Sequence, residues 1–112
     1  MKMYNLEKFK GVFVALNAIY DDKDNVNISA MKELVYKTKG VSGVYVCGST
    51  GEGFLLSVEE RKQVAAAVKE AAGDDFTVIV HVGCASTKES IELAKHAESI
   101  GADAASAVPS VY

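Results

Sequence analysis

The chain has 112 residues, of which 49% are apolar and 24% are charged, and it contains one proline. This composition predicts a packed globular domain and excludes collagen-like and intrinsically disordered proteins. The formal net charge of −3 and the scattered lysines argue against a nucleic-acid-binding protein. No apolar run reaches the roughly 20 residues of a membrane span, and residues 1–7 lack the apolar segment of a signal peptide.

Without a predicted membrane span or signal peptide, we expect a cytoplasmic protein. Cys47 and Cys84 fit neither a metal-binding spacing nor a CxxC motif, so in that reducing compartment we expect free thiols. No spacing of His, Asp or Glu suggests a metal centre. We therefore expect no cofactor, no nucleic-acid partner and no membrane partner.

Four apolar runs predict strands near residues 11–16, 42–47, 76–82 and 103–108. The first run has no polar alternation, which predicts a strand buried on both faces. The helix after it has Asn27 as its expected N-cap and ends at Gly40. The next two helices begin at predicted capping boxes, Ser57 with Glu60 and Ser86 with Glu89.

The alternation βαβαβαβ predicts an α/β fold with a parallel sheet and right-handed crossovers. Two architectures remain open, a doubly wound sheet and a (β/α)8 TIM barrel. Four strands cannot close a barrel, because about eight are needed to enclose a filled interior. On the barrel alternative, residues 1–112 form a single partial domain, the N-terminal half of the barrel.

The 48–52 loop, Gly48-Ser49-Thr50-Gly51-Glu52, is the most informative segment. It follows a strand and precedes a helix, at the edge of a parallel sheet where ligands bind in both architectures. Two hydroxyls and two backbone N–H groups in a glycine-rich turn suit a carboxylate. The spacing matches neither GxGxxG nor the P-loop. The alternative is an ordinary glycine turn that joins a strand to a helix.

Other candidates near this edge have structural explanations beside the functional ones. Glu52 is either a general acid or base or, as we favour, a brace that hydrogen-bonds the N–H groups of its own loop. Tyr45 either faces the interior near the loop or belongs to the core, and Tyr112 either relays protons or is a surface aromatic. His81 is expected to be a core residue with its hydrogen bonds satisfied, and Cys84 a packing residue.

Four segments carry a family resemblance, in the order Gly43-Val44-Tyr45-Val46, the 48–52 loop, Ser57-Val58-Glu59-Glu60-Arg61 and Gly101-Ala102-Asp103-Ala104. Through them the chain from about Lys10 to Tyr112 resembles the pyruvate-dependent class I aldolases, the family that contains N-acetylneuraminate lyase and dihydrodipicolinate synthase. Three features are more similar to the lyase branch. They are Ser49, where the synthases usually have Thr, and the segments His81-Val82-Gly83-Cys84 and Ser106-Ala107-Val108.

The resemblance implies a homotetrameric (β/α)8 barrel in which a lysine on the sixth strand forms a Schiff base with pyruvate. It implies that Ser49 and Thr50 bind the substrate carboxylate. We expect Gly48 and Tyr45 beside them in the substrate-binding site, and Gly51 and Glu52 to shape the loop. The resemblance also implies that Tyr112 supports the proton relay across a subunit interface. The Schiff-base lysine has no counterpart in this chain.

Three functional hypotheses follow. The first is N-acetylneuraminate lyase, which cleaves its sialic acid substrate to pyruvate and N-acetylmannosamine, with this chain contributing the carboxylate-binding loop. The second is dihydrodipicolinate synthase or another pyruvate-dependent aldolase. The third, of a different class, is a non-catalytic half-barrel or assembly module.

Overall fold

Four parallel strands alternate with three α-helices in the computed structural model, which describes residues 6–108. The elements are β1 (Phe13–Ala15), α1 (Ile28–Thr38), β2 (Gly43–Val46), α2 (Val58–Ala72), β3 (Thr77–His81), α3 (Thr87–Ser99) and β4 (Ala104–Ser106), with 3-10 turns at Glu7–Phe9 and Gly53–Leu55. None of the helices within residues 6–108 is long and apolar enough to cross a bilayer.

The strand order distinguishes the two architectures left open by the sequence. The strands lie in the order β1-β2-β3-β4, and each neighbouring pair is parallel. A doubly wound sheet reverses its strand order at a switch point, whereas barrel strands are added in sequence. The prediction of a partial (β/α) barrel is confirmed.

The core lies between the sheet and the helices. Val44, Val46, Val78 and Val80 are almost fully buried on the helix-facing side of β2 and β3. Alternate strand residues point to opposite faces, so Tyr45 and Ile79, which are partners in the β2–β3 register, lie on the other face and remain partly exposed. In a barrel that second face is the interior.

The expectation that the first strand is buried on both faces was wrong. Phe13 and Val14 are half-buried and Ala15 is exposed, because β1 is an edge strand of the described sheet. The strands are also shorter than predicted. Gly11 has a φ of 115° and Cys47 a φ of 63°, and neither conformation continues a strand.

The helix termini follow local side-chain chemistry. Asn27 caps α1 by accepting from the Ala30 N–H at 3.0 Å. Ser57 and Glu60 form both hydrogen bonds of a capping box at α2, as predicted. At Ser86 the structure shows the bond from the Glu89 N–H, which is one half of the predicted box. These caps fix where the loops at the carboxyl ends of the strands turn into helices.

Candidate carboxylate-binding site

The 48–52 loop lies at the carboxyl end of β2 and is closed by its own backbone. The Glu52 N–H donates to the Ser49 carbonyl at 3.0 Å, and the Gly53 N–H donates to the Gly48 carbonyl at 2.9 Å. The left-handed conformations of Cys47 and Glu52, with φ of 63° and 62°, bracket the loop. The result is a tight turn that precedes the N-terminus of α2.

Ser49 and Thr50 occupy the exposed tip of this loop. Their hydroxyls and their backbone N–H groups have no hydrogen-bond partner among residues 6–108. Neutral donors that converge in a fixed turn stabilise an anion without needing to reorganise. The geometry therefore offers four open donors at the edge where barrel enzymes bind their ligands.

Two glycines allow the loop to pack closely against neighbouring segments. The Ala18 N–H donates to the Gly51 carbonyl at 3.2 Å, and a Cβ at Gly51 would collide with the Leu16 carbonyl. A Cβ at Gly48 would lie 2.6 Å from a ring carbon of Tyr45. The loop thus rests on the segment after β1 and on the Tyr45 ring.

The contribution of Glu52 differs from the expected one. Its side chain is exposed and makes no capping hydrogen bond to the turn that follows. The expectation that the carboxylate braces the loop N–H groups is therefore wrong. The structure instead shows Glu52 shaping the loop through its backbone, by its N–H bond to Ser49 and its positive φ.

Tyr45 reaches across β3 towards β4. Its hydroxyl lies 3.0 Å from the hydroxyl of Ser106, and its ring centroid is 6.2 Å from that of His81. This placement brings the 48–52 loop, β3 and β4 into one connected cluster. Tyr112, the other candidate tyrosine, lies outside the described residues.

Arg61 and His81 form a buried polar group at the end of β3. Arg61 is 4% exposed and donates to the carbonyl of Gly83 at 2.9 Å and to that of His81 at 2.7 Å. A guanidinium nitrogen, Nη2, also lies 3.4 Å from Nδ1 of His81. His81 is 2% exposed, and its Nε2 accepts from the Val108 N–H at 3.3 Å. Burial, and then the charge of Arg61, lower the pKa of His81.

Arg61 is absent from the site residues predicted from the sequence, although a signal for it exists. Arg61 is the fourth residue of α2, where the helix dipole favours acids and disfavours cations. A basic residue at that position suggests that another interaction holds it. The contacts with β3 cannot be read from the sequence, because they join positions about 20 residues apart.

The two cysteines do not extend the site. Cys47 is buried, and burial raises the pKa of its thiol to about 11 despite the nearby Arg61. A thiol that stays protonated at neutral pH is a poor nucleophile. Cys84 is half-buried, with its Sγ 3.2 Å from the Ser90 hydroxyl. No cluster of metal-ligand residues occurs within residues 6–108.

Comparison with known proteins places this geometry in a family. The sequence profile of the Dihydrodipicolinate synthetase family matches residues 8–112. The chain belongs to this family. A relative named N-acetylneuraminate lyase, from Mediterraneibacter gnavus, is 48% identical over 112 residues, which is 98% of this chain and 36% of the relative.

Solved structures agree with this family assignment. A Ruminococcus gnavus sialic acid aldolase, described as a catalytic lysine mutant, has a TM-score of 0.93 at 48% identity, over 98% of this chain and 37% of that one. An N-acetylneuraminate lyase from Mycoplasma synoviae has a TM-score of 0.88 at 38% identity, over 96% and 38%. A dihydrodipicolinate synthase from Aquifex aeolicus has a TM-score of 0.82 at 32% identity, over 88% and 34%. The chain thus spans little more than a third of the length of the relatives it matches.

Proposed function

We propose that this chain supplies the carboxylate-binding part of an N-acetylneuraminate lyase. Such an enzyme cleaves N-acetylneuraminate to pyruvate and N-acetylmannosamine through an imine on a lysine. The observation that carries the proposal is the set of open donors on Ser49 and Thr50, at the carboxyl end of a barrel strand. The 48% identity to a named lyase supports this choice of substrate.

The proposed chemistry divides between this chain and the rest of the barrel. Ser49 and Thr50 hold the carboxylate of the substrate, with Gly48 allowing close approach and Tyr45 forming the wall beneath. The lysine imine withdraws electrons from the bond that breaks, and the lysine belongs to a part of the barrel outside these residues. Fixing the anionic end of the substrate orients the keto carbon for imine formation.

The proposal also includes properties of the assembled protein. Tyr112 supports the proton relay from a subunit interface of a cytoplasmic homotetramer, as the family resemblance implies. Tyr45 and Ser106, whose hydroxyls meet at 3.0 Å, join β2, which precedes the loop in the sequence, to β4. Displacement of β4 would therefore also disturb the residues beside the loop.

A chimeric protein, called the joined protein below, tests this proposal. In it, residues 1–112 of this chain replace the matching 36% of the Mediterraneibacter gnavus lyase. We expect it to release pyruvate from N-acetylneuraminate and to form a covalent adduct with pyruvate on borohydride reduction. The 112-residue chain alone should give no adduct. Synthase activity without lyase activity would favour dihydrodipicolinate synthase, and an adduct on the chain alone would contradict the division of chemistry.

Single substitutions then test the loop. A hydrogen bond to a charged group contributes about 1.5–3 kcal/mol, so Ser49→Ala or Thr50→Ala should lower kcat/KM by about 10- to 100-fold. The matched control is Ser99→Ala at the far end of α3, whose hydroxyl donates to the His96 carbonyl at 2.6 Å. Loop variants with the kinetics of the control would contradict carboxylate binding by this loop.

A further inference from the structure

We propose that Arg61 and His81 act together as a positioning pair, in which Arg61 fixes a neutral His81 ring and His81 fixes the end of β4 beside Tyr45. The proposal rests on the proposed function, because the pair is inferred to hold the strand ends that surround the carboxylate-binding loop. Neither residue is inferred to touch the substrate.

The hydrogen bonds of the His81 ring require its neutral form. Nε2 accepts from the Val108 N–H at 3.3 Å. A neutral imidazole accepts at one nitrogen and carries its proton on the other, whereas an imidazolium has no acceptor. The single ring proton is therefore on Nδ1, which lies 3.4 Å from Arg61 Nη2, a nitrogen that donates to the His81 carbonyl at 2.7 Å. A second proton, on Nε2, would remove the bond to Val108 and place a positive charge beside the guanidinium.

Arg61 is a buried cation without a counter-ion. It donates to the backbone carbonyls of Gly83 and His81, and no ion pair within residues 6–108 includes it. Its Nε is buried without a partner. A buried cation without a counter-ion is costly, and a hydrophobic residue of similar volume often gives equal or greater stability. The arrangement is better explained by what the cation fixes than by stability alone.

His81 connects the pair to the candidate site. It lies between the strands that carry Tyr45 and Ser106, whose hydroxyls meet at 3.0 Å. The Phe54 ring, just after the 48–52 loop, packs edge-on against the His81 ring with centroids 5.7 Å apart. A shift of His81 would thus be felt at the loop, at Tyr45 and at the end of β4.

The charge state of His81 follows from the groups that face it. These are Arg61 from α2, Tyr45 from β2, and the backbone of Cys47 just after β2. Burial and Arg61 lower the pKa of His81, and a backbone hydrogen bond with Cys47 raises it, with the lowering dominant. The pKa of His81 is lower in the folded state than in the unfolded state. The stability of the fold therefore decreases as the pH falls below about 6.5, the ordinary pKa of histidine.

Nuclear magnetic resonance on the full 112-residue chain tests the pair without any substrate. In 15N-labelled protein, we expect the His81 ring to take up its second proton below the ordinary histidine pKa, with the Val108 amide signal moving along the same titration curve. His96→Gln identifies which of the two histidines is observed. An ordinary or raised His81 pKa, or a Val108 signal that ignores the His81 titration, would overturn the proposal.

Kinetics of the joined protein test the consequence for the site. Misplacement of binding groups lowers rates steeply, so Arg61→Met should raise KM for N-acetylneuraminate about tenfold and move the acid limb of kcat/KM to higher pH. Arg61→Lys should restore the acid limb, because it returns the charge. The control Lys62→Met removes an exposed ion pair with Glu92 and should match the parent.

The outcomes separate this inference from the proposed function. A folded Arg61→Met variant with unchanged KM and an unchanged acid limb would overturn the positioning role. If Arg61→Met does not fold, the titration of the unsubstituted chain still decides. If the joined protein is inactive on N-acetylneuraminate, the proposed function fails while the His81 and Val108 titrations remain decisive for the pair.

Discussion

At the scale of single residues, the 48–52 loop depends on the missing side chain of Gly51 as well as on the donors of Ser49 and Thr50. Gly51 is buried, and its α-carbon lies so close to the Leu16 carbonyl that a methyl group there would collide with it. Its own carbonyl also accepts from Ala18. The glycine is therefore required by packing against the backbone, independently of any ligand.

Gly51→Ala is predicted to be destabilising. Forcing a methyl group into a well-packed contact costs about 1–3 kcal/mol, and here the neighbour is backbone that cannot rotate away. We expect the free energy of unfolding, measured by urea denaturation, to fall by about that amount. Thr50→Ala, one residue earlier and exposed, should change it by less than about 0.5 kcal/mol. Equal stability of the two variants would show that the loop does not rest on Leu16.

The residues that sequence reasoning located and those it missed differ in the range of their interactions. Ser57 and Glu60 interact across three positions, so their capping box is visible in the sequence. Ser49 and Thr50 follow an apolar run, which is also a local signal. Arg61, by contrast, meets His81 and Gly83 only after a crossover has brought α2 and β3 together. Local patterns carry no information about that contact.

At the scale of elements, β3 and β4 are joined at their amino ends by Asp103. Its backbone N–H donates to the Val78 carbonyl at 2.9 Å, and its carboxylate accepts from the Val78 N–H at 2.8 Å. The same carboxylate accepts from Lys8 at 2.9 Å. One side chain thus links two strands and the 3-10 turn that precedes β1.

The acid dependence of stability should report on this link. Burial raises the pKa of Asp103, but the Val78 N–H and Lys8 outweigh it and hold the pKa below its usual range. Its contribution to stability is therefore present above about pH 3.9 and lost as the pH falls through the folded pKa. Asp103→Asn should lower the free energy of unfolding at neutral pH and weaken its fall in acid.

Denaturation curves recorded between neutral and strongly acidic pH provide the measurement. The control is Asp74→Asn, since Asp74 is exposed in the turn before β3. The free energy of unfolding of the Asp74→Asn variant should fall in acid as it does for the unsubstituted chain. If that of the Asp103→Asn variant falls in the same way, the carboxylate does not link the strands as described.

The positions of the elements were predicted more accurately than their ends. All four strands and three helices occur where the apolar runs and caps predict them. The strands are shorter because Gly11 and Cys47 leave the extended conformation. Such departures depend on how the chain turns in three dimensions, which apolar runs do not record.

At the scale of the whole molecule, strand order carries the most information about function. An uninterrupted order from β1 to β4 places the ends of all four strands along one edge. The 48–52 loop, the Tyr45–Ser106 contact and the Arg61–His81 pair all lie near that edge. Family membership follows from residues 8–112, and the relatives are almost three times as long as the chain.

The most direct test is a crystal structure of the joined protein after borohydride reduction in the presence of pyruvate. We expect the carboxylate of the trapped pyruvate to lie within about 3 Å of the hydroxyl or N–H groups of Ser49 and Thr50. A trapped pyruvate whose carboxylate is held by other residues, with the 48–52 loop unoccupied, would contradict the proposed role of this chain.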